Sequence, residues 1–209
     1  MITYQRMKWA EIWSRFSPRR IVIYADFIDP FCYIGFHNVR RVTEAEDIPL
    51  IWRGFELNPE TPVEGALLEQ ASNSDLRPGM WASVNEFAKK SGLVLTEPIH
   101  VSNTWLAQAW VQTIQNRDVK NSLIERIYEA YLSNKMDIGD SRVLTGLANE
   151  FGLPAGPIHD LGASRDQREL EKFRQEALAY QFPGMPAFLY RGKTYFGALS
   201  EQAWRDIVC

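Results

Sequence analysis

The pattern of apolar positions near the start of the chain predicts a strand, a helix and a second strand. Residues 21–27 form an apolar, β-branched run typical of a buried strand. Asp29 and Pro30 then favour a helix start, because an aspartate side chain caps free backbone N–H groups and proline suits the first helical turn. Apolar residues keep helical spacing to about Glu46. Residues 49–55 read as a second strand, so the order is that of a βαβ unit with parallel strands.

The middle of the chain, from about residue 62 to residue 168, has an almost wholly helical pattern. Apolar stripes at helical spacing predict five helices, near residues 81–88, 105–114, 123–132, 143–148 and 169–180. The last of these helices directly follows this range. Ser141 is predicted to cap the fourth of these helices, and Gly152 to end it. Residues 157–161 are predicted to form a turn.

The chain then returns to a β pattern. Residues 186–190 predict a strand, residues 191–193 a tight turn and residues 194–197 the partner strand of a hairpin. Ser200 is the predicted cap of a closing helix. The fold class that follows is α/β: a thioredoxin fold with an inserted all-helical domain. The predicted division assigns residues 20–60 and 170–209 to the thioredoxin-like domain and residues 61–169 to the helical insertion.

Residues 1–19, which precede the first strand, are predicted to form an N-terminal amphipathic helix. Trp9, Ile12, Trp13 and Phe16 fall at helical spacing among charged residues, which is not the pattern of a secretion signal. Such a helix could pack on a partner subunit, so a homodimer is one expectation, although packing on its own domain is the commoner outcome. No stretch approaches the length of a membrane span, so we expect no membrane partner.

Composition narrows the class of function. The 209 residues are 45% hydrophobic and 23% charged, with a net charge of -3, which gives no reason to expect nucleic acid as a partner. Two cysteines, Cys32 and Cys209, are too few for a disulfide framework and are expected to be unpaired thiols in a reducing cytoplasm. The three histidines lie far apart in sequence, so no metal site is predicted.

Five segments in order resemble the DsbA-like branch of the thioredoxin superfamily. Within that branch the sequence is most similar to cytosolic FrnE-type proteins and more distantly to 2-hydroxychromene-2-carboxylate isomerase and kappa-class glutathione transferase. The segments run from residue 26 to residue 188: Asp26-Phe27-Ile28-Asp29-Pro30-Phe31-Cys32-Tyr33-Ile34-Gly35, then Trp52-Arg53-Gly54-Phe55-Glu56-Leu57-Asn58-Pro59, Ser102-Asn103-Thr104, Ala130-Tyr131 with Asp137-Ile138-Gly139-Asp140, and Gly184-Met185-Pro186-Ala187-Phe188.

The resemblance places the active site at residues 29–32, and there the sequence departs from the family. The first of the two expected redox cysteines is Asp29, while Cys32 stands where the second, more buried cysteine belongs. A carboxylate cannot attack a disulfide, and Cys32 without its partner cannot complete a dithiol cycle. Asp29 is therefore either a helix cap alone or an anion or base facing a ligand. Cys32 is either an inert buried thiol or a monothiol whose pKa the helix N-terminus lowers.

The resemblance also implies a substrate groove around the motif. Pro30 and Phe31 belong to its turn, and Pro186 after Met185 resembles the family's cis-proline, which turns backbone groups toward a ligand. Asn103 and Trp105 are candidates for lining the groove on the side of the helical insertion. The expected ligand is a small-molecule thiol or a peptide, with glutathione as the candidate cofactor and none bound permanently.

Three functions remain open from the sequence. The first is a DsbA-like oxidoreductase-family protein that acts on a thiol or on glutathione through Cys32, without dithiol exchange. The second is a glutathione-dependent isomerase or transferase in which Asp29 polarises a bound thiol. The third is a binding protein that keeps the groove without catalysis. In the isomerase branch the first motif position is a serine and an acidic-basic pair follows the hairpin; Asp29 and Gly197-Ala198-Leu199-Ser200 depart from both.

Overall fold

The computed structural model describes residues 19–67, 80–164, 166 and 168–209. The predicted N-terminal helix, residues 1–19, falls almost entirely outside them. The strands in chain order are β1 Ile21–Ala25, β2 Leu50–Gly54, β3 Ala66–Leu67, β4 His100–Val101, β5 Ala187–Tyr190 and β6 Lys193–Phe196. The described helices are α1 Pro30–Ala45, α2 Met80–Lys90, α3 Trp105–Thr113, α4 Arg117–Leu132, α5 Ser141–Glu150, α6 Gly156–Ser164, α7 Arg168–Ala179 and α8 Glu201–Val208.

The central sheet has four strands in the order β2-β1-β5-β6. The strand β1 pairs parallel with β2, in a register that puts Ala25 opposite Gly54, and antiparallel with β5. The hairpin of β5 and β6 completes the sheet. The predicted βαβ start and closing hairpin are therefore confirmed, and the architecture is the predicted thioredoxin fold with added helices.

Both faces of the sheet are covered. One face carries a large core in which Ile21 and Ile23 of β1 pack with α1, α4 and α8, and this core runs on into the inserted helices. The other face carries a small cluster of Val22, Tyr24 and Ala177, the last of these from α7. The active-site helix α1 thus begins at the carboxyl edge of β1 and is held by buried side chains along its length.

Three details of the inserted segment differ from the sequence prediction. A two-stranded antiparallel pair, β3 with β4, interrupts the helical pattern, because two residues per strand are too few to show an alternating period. The predicted turn at residues 157–161 is wrong: it lies in α6, where Pro157 occupies the first turn that proline tolerates. The cap of α5 is Asp140 rather than Ser141, since its carboxylate accepts the N–H of Arg142.

None of the described helices is long and apolar enough to cross a membrane. The domain boundaries at residues 60/61 and 169/170 stay a prediction. In the structure, helices α2 and α4 of the segment between β2 and β5 contact α1, and α7 near the end of that segment packs on β2.

Candidate active site

The side chain of Asp29 caps helix α1. Asp29 has extended backbone angles, φ −94° and ψ 117°, and its Oδ1 accepts the N–H of Phe31 at 2.7 Å and the N–H of Cys32 at 3.0 Å. Pro30 occupies the first helical position and has no N–H to satisfy. The predicted cap is confirmed, and we call residues Asp29 to Cys32 the motif turn.

The Asp29 carboxyl titrates close to neutral pH. Its side chain is only partly exposed, and this burial raises its pKa from 3.8 to about 6, against the two backbone N–H groups that favour the ionised form. The charge of Asp26 raises the pKa further. At pH 7 most molecules therefore present a carboxylate at this position, and under mildly acidic conditions they present a neutral acid.

Cys32 lies on the inner side of the motif turn. It is 0% exposed and belongs to the hydrophobic core. Burial raises the pKa of its thiol well above the usual value, and the charge of Asp29 raises it further. This burial argues against the alternative of a thiol with a lowered pKa and favours an inert buried cysteine. Cys209 ends the chain in an exposed position, and both thiols are free.

An aromatic pair flanks the motif turn on its outer side. The ring of Phe31 meets the ring of Phe87, from α2, edge to face with centroids 5.8 Å apart. Phe87 is 44% exposed, and the Nζ of Lys90 lies 5.6 Å from its ring centroid. Next to the motif turn, the Phe31–Phe87 pair is therefore an apolar group that stays partly open to solvent.

The Met185–Pro186 peptide bond is cis, as predicted. Pro186 packs on the active-site helix: a Cβ placed on Gly35 would lie 2.9 Å from its Cγ. Gly35 comes one turn after the motif turn, so this contact brings the loop before β5 against the start of α1. Met185 is partly buried and packs on the cores of both sheet faces.

Asn103 and Trp105 lie together at a cavity of about 130 Å³ at the entrance to helix α3. The Nδ2 of Asn103 donates to the carbonyl of Thr61 at 2.7 Å, and its Oδ1 accepts the N–H of Trp105 at 3.2 Å. Its amide is therefore committed to holding the loop after β2 and starting α3. The residues that line this cavity are Glu56, Pro59, Val63, Asn103, Trp105, Leu106, Gly139 and Gly162. The motif turn and Met185–Pro186 are not among them.

Beneath the motif turn lies a buried polar group that the sequence analysis did not single out. Asp26 is 0% exposed, and its carboxyl accepts the N–H of Leu57 at 2.7 Å and a donor from Gln108 at 3.1 Å. Gln108 also donates to the Ala25 carbonyl and accepts from the indole N–H of Trp52. The hydroxyl of Tyr128 donates to the Asp26 carbonyl at 3.0 Å. We call Asp26 together with these hydrogen-bonded residues the Asp26 joint. Burial raises the pKa of Asp26.

Glu56 is the second acidic group that sequence reasoning missed. It follows β2 by two residues, as Asp29 follows β1 by four, and because β1 and β2 are parallel neighbours both side chains belong to the same edge of the sheet. Burial raises the pKa of Glu56 to about 7, with a further contribution from the charge of Asp26, while Arg174 lowers it. A signal was present in the sequence, since an acidic residue directly after a buried strand often lines a site.

The histidines are separated in the structure as in the sequence. The Nδ1 of His37 pairs with Glu125 at 2.6 Å, and the Nε2 of His100 lies 3.2 Å from Ser102 and 3.3 Å from Asp137. Within the described ranges, no group of three or more histidine, cysteine, aspartate or glutamate residues could hold a metal ion.

Comparison with known proteins gives a family model and one sequence relative. The model for the DSBA-like thioredoxin domain matches residues 20–208. The Bacillus subtilis protein YwbO is 26% identical over 197 residues, which cover 90% of this chain and 94% of YwbO. The match therefore spans the strands, the inserted helices and the closing hairpin together.

Solved structures repeat the fold at lower identity. A probable DsbA oxidoreductase from Streptomyces coelicolor has a TM-score of 0.78 at 20% identity, over 90% of this chain and 88% of that one. A 2-hydroxychromene-2-carboxylate isomerase has a TM-score of 0.72 at 13% identity, over 85% and 88% of the two chains. The cytosolic disulfide reductase DsbM from Pseudomonas aeruginosa, solved with GSH, has a TM-score of 0.66 at 15% identity, over 90% and 96%.

Proposed function

This chain belongs to the DSBA-like thioredoxin domain family, and from that premise we propose that it binds a thiol of the glutathione class and activates it with the carboxylate of Asp29. The reaction type is that of a glutathione-dependent isomerase or transferase in place of dithiol-disulfide exchange. Asp29 accepts the proton of the bound thiol, and the partly exposed Phe31–Phe87 pair offers an apolar contact for the second substrate.

The observation that supports this proposal is the contrast between the two ends of the motif turn. Asp29 is partly exposed at the start of α1, whereas the thiol of Cys32 is 0% exposed and has a pKa well above its usual value. Disulfide exchange needs an accessible thiolate, so the partly exposed carboxylate is the better candidate for direct contact with a ligand. The interpretation in which Cys32 attacks a ligand as a monothiol has no support in this burial.

The chemistry of Asp29 suits a thiol ligand. A carboxylate accepts a hydrogen bond from an S–H group, and a base with a pKa of about 6 ionises a fraction of a thiol held against it. The N-terminus of α1 favours negative charge, which would help to stabilise sulfur as it loses its proton. One neighbour supports the ligand class, since DsbM was solved with GSH. A second neighbour, named as an isomerase, supports the reaction type, since it has the same fold.

Calorimetric titration with glutathione at about pH 7.5 tests the proposal. We expect measurable binding to the wild type, and binding about tenfold weaker to S-methylglutathione, which lacks the S–H donor. Asp29→Asn keeps an acceptor for the cap but removes the base, so it should abolish thiol ionisation, read by the ultraviolet absorbance of the thiolate, more than it weakens binding.

Cys32→Ala is the matched control, because it changes the other end of the same turn. Equal glutathione affinity in the wild type and in Cys32→Ala supports the proposal. Binding that requires Cys32 would instead support the monothiol interpretation. No glutathione binding at all would leave a binding protein without catalysis as the better account.

A cytoplasmic location belongs to the same proposal, because a protein that uses reduced glutathione needs a reducing compartment. Size-exclusion chromatography with light scattering would test the expected homodimer. A monomer would remove any role for a partner subunit in the site.

A further inference from the structure

The face of the sheet that carries Val22 and Tyr24 is covered unevenly. Pairing across the strands places its side chains in two rows, because residues directly opposite each other point to the same face. The row nearer the carboxyl end of β1 contains Arg53, Tyr24, Ala187 and Phe196. The row nearer the amino end, which we call the outer row, contains Ile51, Val22, Leu189 and Thr194.

Helix α7 is fastened to the first of these rows. The Tyr24 hydroxyl donates to the Glu176 carboxylate at 3.3 Å, and Arg53 forms an ion pair with the same carboxylate. The guanidinium of Arg53 also lies 5.4 Å from the ring centroid of Phe173. These contacts hold α7 over the half of this face at the carboxyl end of β1.

The outer row keeps apolar surface open to solvent. Ile51 is 36% exposed, and Leu189 is partly exposed. By contrast, Ile21 and Ile23, which alternate with Val22 and so point to the opposite face, are 0% exposed. Since burial of apolar side chains is favourable and sheets are normally covered on both faces, a further element that packed on this row would be stabilised.

The chain that precedes β1 has the pattern and the length to cover this row. The apolar residues that recur there at helical spacing are Trp9, Ile12, Trp13 and Phe16. A helix over residues 4–16 would gather them into one stripe. It would be about 20 Å long, enough to cross a sheet of four strands about 4.8 Å apart. It must end before Pro18, because proline disfavours helical angles in the residue that precedes it.

The point at which the chain enters the sheet limits where such a helix can lie. Arg19 is the first described residue, and its guanidinium lies 3.6 Å from the Glu46 carboxylate in the loop before β2. Residues 17–20 separate Phe16 from β1 and span at most about 14 Å. Packed layers lie about 10 Å apart, so this link reaches either face of the sheet. The opposite face already carries α1 and α8, which leaves the outer row.

We propose that the segment of residues 4–16 docks as a helix on the outer row of its own molecule, alongside α7, with its apolar stripe facing the row. The polar side of the helix, with Lys8, Glu11 and Arg15, then faces solvent. A homodimer would have to use a different surface. The inference is independent of the proposed function, because the outer row lies on the face of the sheet opposite α1.

Alkylation of a cysteine placed in the outer row tests the proposal on the full-length chain. The protein used is Ile51→Cys with Cys209→Ser, which leaves Cys32 as the only other thiol. A maleimide at neutral pH should modify position 51 slowly, because the docked helix covers it. Adding Trp13→Glu places a charge in the apolar stripe and should raise this rate about tenfold or more.

Two controls make the result specific. Ser14→Glu adds the same charge on the other side of the helix, so it should leave the rate at position 51 unchanged. Cys32 in every sample reports whether the fold has opened, since it is 0% exposed and should stay unmodified. The rate at position 51 should not depend on protein concentration, because the helix that covers it belongs to the same chain.

Cross-linking then identifies the occupant of the row. In the Cys209→Ser background, Ala10→Cys lies beside the stripe and Thr194→Cys at the β6 end of the outer row. A short bismaleimide should join the two within one chain, which mass spectrometry and gel mobility detect. Asn149→Cys, at an exposed position of α5, replaces Thr194→Cys in the control and should give no link within the chain.

Three results would overturn the proposal. Equal alkylation rates with and without Trp13→Glu would show that the segment does not cover the row. A rate at position 51 that falls as protein concentration rises would assign the row to a second copy of the chain. Cross-links between Ala10→Cys and Thr194→Cys that form only between chains would lead to the same conclusion.

Discussion

The motif turn and the Asp26 joint lie three residues apart in sequence, yet they place acidic groups in opposite surroundings. Asp29 is partly exposed and caps a helix, where its carboxylate accepts the backbone N–H groups of Phe31 and Cys32. Asp26 is 0% exposed and is bonded to the loop after β2 and to helix α3. The difference separates two roles within one short segment: under the proposed function the outer residue meets ligands, whereas the inner residue holds helix α3 and the loop after β2 to the sheet.

The largest expected effect comes from breaking the Asp26 joint at Gln108. Gln108→Leu keeps the volume but removes one hydrogen bond each from the Asp26 carboxyl and the Ala25 carbonyl, which keep the N–H groups of Leu57 and Phe55, and takes the acceptor from the Trp52 indole. Since a buried donor left without an acceptor costs about 1–3 kcal/mol and each lost hydrogen bond about 0.5–1.5 kcal/mol, we expect the free energy of unfolding to fall by roughly 2–4 kcal/mol. Urea denaturation measures it.

Gln115→Leu provides the control for that experiment, because Gln115 is exposed. It should change stability by less than about 0.5 kcal/mol. Equal losses of stability in Gln108→Leu and Gln115→Leu would mean that the Asp26 joint does not hold the inserted helices to the sheet. The contrast drawn between Asp26 and Asp29 would then be wrong.

The next effect concerns the two thiols and sharpens the contrast between surface and interior. In the folded protein, an alkylating reagent at about pH 8 should modify Cys209 at least about a hundredfold faster than Cys32, because Cys32 is buried and its thiol has a raised pKa. Mass spectrometry of timed samples gives the two rates, with Cys209→Ser isolating the slow one. A rapid reaction of Cys32 would show that the turn opens readily and would restore the monothiol interpretation.

Asp29→Cys tests whether the outer position is where sulfur chemistry occurs. The wild type should reduce insulin at background rate, since it has no exposed thiol in the motif turn. The new cysteine would lie at the N-terminus of α1 next to Cys32, and we expect a gain of about tenfold over background with dithiothreitol as reductant. Asp29→Ser is the control that changes the residue without adding a thiol. Substantial reduction of insulin by the wild type itself would contradict the role assigned to Asp29.

The smallest effect is on the pH dependence of stability. The pKa of Asp29 is raised in the folded state, from 3.8 to about 6, so its ionised form is disfavoured by folding and wild-type stability falls as pH rises through that window. Asp29→Asn keeps the cap and cannot ionise. The free energy of unfolding of the variant should therefore rise relative to that of the wild type between about pH 4 and about pH 6, by on the order of 1 kcal/mol. Above about pH 6 the difference between the two proteins should stay constant. Thermal unfolding across this range measures it; a gap that shrinks with pH would show that the carboxylate is stabilised by the fold.

Much of the fold was predictable because its signals are local. The strand at residues 21–27, the Asp29-Pro30 helix start and the hairpin after Pro186 each depend on a few neighbouring residues. The errors were also local: the glycine and proline at positions 156 and 157 resemble a turn, yet proline is equally suited to the first turn of a helix.

The site was predictable only in part, because its inner half is built from residues distant in sequence. Asp29 and the cis bond before Pro186 followed from short motifs. Gln108 gave no signal, as a single polar residue within an apolar helix can face solvent or a partner, and its partner Asp26 lies 82 residues away. Glu56 could be placed on the sheet edge once β1 and β2 were known to be parallel, but its cavity depends on α3 and on the loop after β2.

The close approach of Gln108 to strand β2 has a consequence for how this sequence can evolve. A Cβ on Gly54 would lie 2.3 Å from Oε1 of Gln108, so the glutamine occupies the space that any other side chain at position 54 would need. The two positions are therefore coupled: a lineage that replaces Gly54 must first shorten residue 108, and so must abandon the glutamine that fastens the helices. Relatives that keep the glutamine are therefore expected to keep the glycine, whereas relatives with a shorter residue at position 108 are free to replace it.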